Sequence, residues 1–155
     1  IVKYPEMKYF IGPVSISSWF PKFYQSIIVH YVKTKHSDEE MSRLITPKTP
    51  FVPDFNKVDV NVLMEKNMDS VDKFDRYLMK LSNGDFRMPT LFKKYLKINA
   101  KFLCFNVDPD FNNTLDGLLF LRFEDYPKEE LMMLIKDNTP EEKARYAARF
   151  GISLD

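Results

Sequence analysis

Three carboxylates crowd one short stretch of this sequence, Asp108, Asp110 and Asp116, with Phe111, Asn112 and Asn113 among them. Acids gathered in this way admit two roles. Asp and Asn bond their own backbone and so build turns. They also line polar pockets that hold an amine and take its proton, a service worth about 10²–10⁴-fold in rate. The spacing Asp108-x-Asp110-x-Asn112 opens like a calcium loop, yet Asn113 stands where that loop needs Gly and Leu119 where it needs Glu.

Other chemistries find little footing. His30 and His36 are six positions apart, whereas a helix brings side chains together at three or four. With a single cysteine beside them, no zinc ligand set forms. Cys104 lies in the apolar run Phe102-Leu103-Cys104-Phe105 and reads as a small buried hydrophobe rather than a nucleophile. Ser15, Ser17 and Ser18 lack the flanking glycines of a nucleophile elbow. With 4 glycines in all and no Gly-rich fingerprint, the chain has no phosphate-cradling loop. The stretch Phe92-Lys93-Lys94-Tyr95-Leu96-Lys97 reads as a helix with a positive face. That face is either solvated or a contact for an acidic protein or an anionic membrane surface.

The elements that must hold these residues belong to one domain. A chain of 155 residues, 45% hydrophobic and 29% charged, can bury a real core. Its 14 Phe and 8 Tyr supply large apolar areas for a core or an apolar groove. A net charge of +1 gives no field that would draw it to nucleic acid. One cysteine leaves no internal disulfide, in keeping with a reducing cytoplasm. No apolar run approaches the roughly 20 residues needed to cross a bilayer, and no stretch of the sequence reads as a signal peptide. Ile1 in place of Met reads as the start of a chain inside a longer gene product.

Residues 7–17, rich in aromatic and β-branched side chains, read as a strand. Gly12-Pro13 interrupts it, and a bulge or splayed edge is expected there. Ser17-Ser18 offers an N-cap for a helix over 21–35, whose stripes are Phe23, Ile27 and Tyr31 beside Tyr24, Ile28 and Val32. Ser37 with Glu40 has the spacing of a capping box for a short helix through Leu44. Pro47, Pro50 and Pro53 make 46–57 a surface loop. Helix returns over 69–82, with Val71, Phe74, Leu78 and Leu81 on one face and Gly84 as its stop. Pro89 opens another helix, to about Ile98, with Leu91, Tyr95 and Ile98 on one stripe. Strands at 101–107 and 115–123, joined by a short polar turn, read as antiparallel neighbours. Pro127 starts a helix with Leu131, Leu134 and Ile135 inward. Thr139-Pro140-Glu141-Glu142 starts the last one, which stops at Gly151. The order is α+β, a small sheet covered by helices.

Two stretches resemble a known family. The run from Met88 to Ala100, then Asp108-Pro109-Asp110-Phe111-Asn112 and Leu115-Asp116-Gly117-Leu118-Leu119, is similar to the C-terminal signature of the ornithine–acyl carrier protein N-acyltransferases. There a helix reading roughly P-P-L-I-K-G-Y-L-R-L-G-A precedes a strand, D-x-x-F-N-T-x-D and an apolar strand. Tyr9-Phe10-Ile11-Gly12-Pro13-Val14-Ser15-Ile16-Ser17 looks like the family's fifth strand entering its fourth helix. The chain departs from the pattern at Lys94 and Asn99, where the family has Gly, and 38–87 matches nothing in it. The family's L-G-R-S-C-V strand and the turn that binds the donor have no counterpart here.

The resemblance implies a partial GNAT-like fold, a small mixed sheet in an α+β domain over residues 1–155 that is the C-terminal half of an acyltransferase. It implies transfer of a long, often 3-hydroxylated, acyl chain from acyl carrier protein (or CoA) to an amino-acid α-amine, with no bound cofactor. The upstream half of the donor site is then expected outside this chain, and the chain alone is expected to be inactive. By resemblance, Asp108 and Asp116 are the catalytic candidates. Gly12, Pro13, Ser15, Tyr95, Phe111 and Asn112 are the substrate-binding candidates, with 10–15 as the donor wall where strands splay. Lys93, Lys94 and Lys97 would meet the acidic carrier protein. The family includes makers of ornithine and glycine lipids, proteins labelled hemolysins, and fusions with glycerolipid-type acyltransferases. A cytoplasmic protein, peripheral at the inner membrane face, follows. Two alternatives stand beside it: a non-catalytic module that docks on acyl carrier protein or a membrane, and a lysolipid O-acyltransferase. The H-x-x-x-x-D mark of the latter is absent, since Lys35 follows His30 at the fifth place and Met41 follows His36. An unpaired strand edge invites self-association.

Overall fold

The computed structural model describes residues 6–64 and 69–151. Strand β1 (Tyr9–Ile16) leads into helix α1 (Lys22–Lys35), followed by the short helices α2 (Glu39–Ser42) and α3 (Val60–Met64). Helices α4 (Val71–Leu81) and α5 (Thr90–Lys97) precede the hairpin of β2 (Lys101–Asp108) and β3 (Thr114–Arg122). Helices α6 (Lys128–Ile135) and α7 (Pro140–Phe150) close the described chain. The class is α+β, as the element order implies.

The sheet runs β1-β3-β2, and both ladders are antiparallel. The mixed sheet that the resemblance implies is therefore not present among the described strands. Their one parallel contact is an isolated bridge between Ser37 and Phe102. Register in the β1–β3 ladder is unbroken from Tyr9↔Arg122 to Ile16↔Leu115, straight through Gly12↔Leu119 and Pro13↔Leu118. The bulge expected at Gly12-Pro13 is absent. Because β1 is an edge strand, Pro13 can turn its missing donor outward without breaking the ladder. The irregularity falls in β2 instead, between Phe102 and Cys104.

One face of the sheet carries the core. Val14, Ile16, Phe102, Phe105, Leu115 and Leu119 are buried against Ile27, Ile28, Tyr31 and Val32 of α1 and the inner residues of α4 and α5. Tyr31 stacks on Phe74 with centroids 4.0 Å apart, and Phe92 stacks on Phe102 at 4.9 Å. The α1 and α4 stripes follow the periodicity. In α5 the core takes Phe92 and Leu96, while Leu91 is exposed and Tyr95 and Ile98 are half-buried. In α6, Leu131 and Ile135 join Tyr146 in a satellite cluster, but Leu134 faces water rather than inward.

Helix starts show which side chains win the capping competition. Ser17 and Ser18 do not cap α1. Its N-cap is Pro21, with no side-chain bond, and the Ser17 hydroxyl accepts from the Trp19 N–H instead. Asp38, not Ser37, caps α2, accepting from the Met41 N–H at 3.0 Å, and the helix ends at Ser42. Asp38, a carboxylate, is the stronger acceptor of the two. The capping box of Thr139 and Glu142 is complete, and Gly151 ends α7 in the left-handed region. Helix α3 has too short a pattern to register as periodicity.

Candidate functional site

The pairing of β1 with β3 sets Ser15 opposite Asp116, and the pairing of β2 with β3 sets Asn106 opposite the same Asp116. All three alternate away from the core, so they share the outer face of the sheet. The Ser15 hydroxyl donates to Asp116 Oδ1 at 2.6 Å, a bond spanning 101 residues of sequence. Asn106 Oδ1 accepts the Thr49 N–H at 2.7 Å, and its Nδ2 donates to the Val107 carbonyl. Toward β1 this face is open: Tyr9, Ile11, Pro13 and Ser15 are exposed.

The turn between β2 and β3 separates the acids by role. Asp108 caps a single 3-10 turn over Pro109–Phe111, its Oδ1 accepting from the N–H groups of Asp110 and Phe111 at 3.0 and 3.2 Å. Its carboxylate is thus engaged by the backbone, whereas that of Asp116 has, among the described residues, only a hydroxyl upon it. Asn112 and Asn113 both adopt left-handed φ, of 55° and 54°. Asn112 Nδ2 reaches Ser18 Oγ at 3.1 Å, a second tie between the turn and the segment after β1. Phe111 projects into solvent, 71% exposed.

Gly12 and Pro13 sit in β1 with its outer edge unpaired among the described residues. The other sheet edge is covered. Phe102 donates to the His36 carbonyl, and Phe51 and Val107 bond Phe105 and Thr49 across the outer side of β2. Tyr95 stacks beneath Phe10 at 6.3 Å and, with Leu91, Lys94, Ile98, Tyr126 and Glu130, lines a cleft between α5 and α6.

The α5 lysines are not one positive face. Lys93 bonds Asp72 and Asp75, both at 2.8 Å, and Lys97 bonds Asp72 at 3.0 Å. The hydrogen bonds from Lys93 and Lys97 bring the Asp72 carboxyl down to about 2. Lys94 alone of the three is exposed with no ion pair among the described residues. Asp75 is buried and also accepts from Arg87 and the Met88 N–H, at 3.2 and 2.9 Å. Burial pushes its carboxyl up, but the Lys93, Met88 and Arg87 contacts outweigh that and leave it below the ordinary range.

Among the described residues no three His, Cys, Asp or Glu side chains come together as metal ligands would. His36 is packed beside Tyr31, and burial with the nearby Lys101 and Lys35 charges lowers it to about 4. Cys104 is half-buried on the outer sheet face beside the β2 bulge, not buried as its apolar run suggests, and desolvation raises its thiol above the ordinary value. No described helix is long and apolar enough to cross a membrane.

Asn106 and Ser18 escape a reading of spacing alone, because only the strand register brings them to Asp116 and Asn112. The signal available is polarity: Asn106 is the one strongly polar residue between Lys101 and Asp108, the two ends of the strand. Compared with known proteins, the chain matches no family model, no curated protein and no solved structure.

Proposed function

We propose that this chain serves N-acyl transfer from an acyl carrier protein thioester to the α-amine of an amino acid, as the acceptor-side part of a GNAT-like acyltransferase. The observation that carries it is the hydrogen bond between Ser15 and Asp116. The two stretches that resemble the acyltransferase family are remote in sequence, and these residues, one from each, are in contact. The tie from Asn112 to Ser18, the residue just after the first stretch, lies beside that contact. In this scheme Asp116 is the group that receives the amine, and Asp108 shapes the turn beside it.

The amine lone pair forms the C–N bond at the thioester carbonyl, the C–S bond breaks, and the sulfur leaves with the electron pair. The proton lost by nitrogen passes through the Asp116 carboxylate to the departing thiolate. The open edge of β1 supports pairing with a further strand of the enzyme, which would complete the donor wall around Gly12 and Pro13. The exposed Tyr9, Phe10 and Ile11 there suit an acyl chain. Contact with the acidic carrier protein falls to Lys94, since Lys93 and Lys97 are engaged by α4.

The test is transfer in vitro by the protein encoded by the whole gene. With a 3-hydroxyacyl carrier protein and glycine or ornithine, it is expected to release free carrier thiol in step with N-acyl product. Asp116→Asn should lower the rate about 10²-fold or more, by the usual worth of a positioned proton acceptor. Thiol release without N-acyl product would point to hydrolysis and count against the proposal. Tight binding of carrier protein or of anionic vesicles by a folded protein that transfers nothing would favour the docking module.

A further inference from the structure

Tyr31 is 1% exposed, yet its hydroxyl makes no hydrogen bond among the described residues. Buried polar groups are ordinarily paired, and one left over calls for a ligand or water to complete it. The ring is packed in the core and stacked on Phe74, so it is not free to turn toward another partner. Tyr31 lines a cleft of about 450 Å³ that opens between the end of α1, the start of α4 and the end of α5. With the ring in the core, the part of Tyr31 that meets this cleft is the hydroxyl end. Burial, and then the charge of Asp72 on the cleft wall, push that hydroxyl up to about 12, so it stays a donor.

His36 is a second group in the same state. Its ring lies beside that of Tyr31, centroids 5.6 Å apart, and lines the cleft with no hydrogen bond of its own among the described residues. Asp69 and Asp72 line the cleft too, but both are engaged: Lys73 bonds Asp69, and Lys93 and Lys97 bond Asp72. Lys35 is the lining charge with no ion pair among the described residues. Helix α4, 11 residues long, starts at the same wall, where Ser70 accepts only the Lys73 N–H of its first turn. The groups left over are therefore a hydroxyl, an imidazole N–H, an ammonium and the N–H groups of Val71 and Asp72. Free donors need an acceptor, and an unpaired cation sets its sign.

We propose that this cleft binds a small oxyanion, a carboxylate or a phosphate, on the Tyr31 hydroxyl, the His36 ring and the Lys35 ammonium. The site goes beyond the acyl-transfer reading and does not depend on it. Tyr31 belongs to the core on one face of the sheet, and Asp116 lies on the other face.

The experiment is an NMR titration of the protein with sodium phosphate and with sodium acetate, against sodium chloride at matched ionic strength. The His36 ring protons and the Val71 amide are expected to shift saturably with phosphate, acetate or both, and to stay in place with chloride. The salt that binds more tightly names the source of the oxyanion. Tyr31→Phe keeps the ring and removes the O–H, and should weaken that binding about tenfold, the worth of a hydrogen bond to a charged group. Lys35→Gln, at an exposed position, should weaken it about two- to fivefold, the worth of an exposed charge pair. Without added anion, Tyr31→Phe is expected to unfold at the same urea concentration as the parent or a higher one, because a hydroxyl with no partner is removed at no cost. A Tyr31→Phe protein that is unfolded or clearly less stable would mean that the hydroxyl is bonded within the protein, and would overturn the site. So would shifts that chloride reproduces, shifts that never saturate, or a folded Tyr31→Phe protein that binds as tightly as the parent.

Discussion

Gly117 shows how a single residue fixes the site. It lies in β3 next to Asp116, and a Cβ there would sit 2.7 Å from the Phe102 ring and 3.0 Å from Phe105. Both rings belong to the core, so neither yields freely. Gly117→Ala is expected to cost about 1–3 kcal/mol in urea unfolding, the usual penalty of overpacking; an unchanged midpoint would show that the two rings can shift. Asn99, standing where the acyltransferase pattern has Gly, has φ of 65° and bonds the Asp125 carbonyl through Nδ2. Asn is the residue that best replaces Gly in that region. Asn99→Val is expected to destabilise by about 1–2 kcal/mol, and Asn99→Gly by much less. These two positions explain what the sequence could and could not disclose. The glycine and its motif are visible in the chain, but the rings that require it are reached only across the sheet.

Between elements, the tie of α4 to α5 runs through Asp75. Val71, Asp75 and Leu78 share a helical face, so the acid was always placed on the buried stripe, a signal that counting apolar residues passes over. Lys93, Arg87 and the Met88 N–H converge on it. Asp75→Asn is expected to cost about 2 kcal/mol, less than the roughly 3–5 of a fully buried pair, since the heads of Arg87 and Lys93 reach water. The carboxyl is depressed in the fold, so its contribution is whole above its ordinary value near 3.8 and is lost as pH falls through the folded value. The variant should therefore lose stability less steeply on acidification than the parent. His36 has the opposite origin and the same sign. Burial keeps it neutral down to about 4, while the unfolded chain takes up its proton near 6.5. Melting temperature should fall as pH drops from about 6.5 toward 4, and His36→Gln should flatten that interval. A melting curve of His36→Gln that follows the parent through this range would contradict the assignment. Helices α1 and α4 were legible because their stripes are long, and α7 because its capping box and Gly151 mark its two ends. Helix α3 and the Asp38 cap were not, because five residues carry no period and two neighbouring polar residues compete for one cap.

In the whole molecule the two sheet edges differ. The β2 edge is closed by the backbone at His36 and Thr49–Phe51, while among the described residues the β1 edge is open and presents Ile11, 53% exposed, beside Tyr9 and Phe10. Open apolar edges pair with whatever strand they meet. The purified chain is expected to form larger species with rising concentration in light scattering, and Ile11→Lys is expected to return it to monomer; a monomer at all concentrations counts against a vacant edge. The α+β class was legible from element order. The strand order was not, because β1 reaches β3 across five helices, and no local pattern encodes a pairing between residues 9–16 and 115–122. That same pairing brings the two family-like stretches together, which makes one measurement the most direct. Lipids from cells expressing the gene would be compared by mass spectrometry with lipids from cells expressing its Asp116→Ala variant at equal protein level. A new N-acyl amino-acid lipid that disappears in the variant is expected. A folded, abundant parent protein that yields no new lipid when ornithine and glycine are supplied, or a lipid that persists undiminished in the variant, would contradict the role given to Asp116.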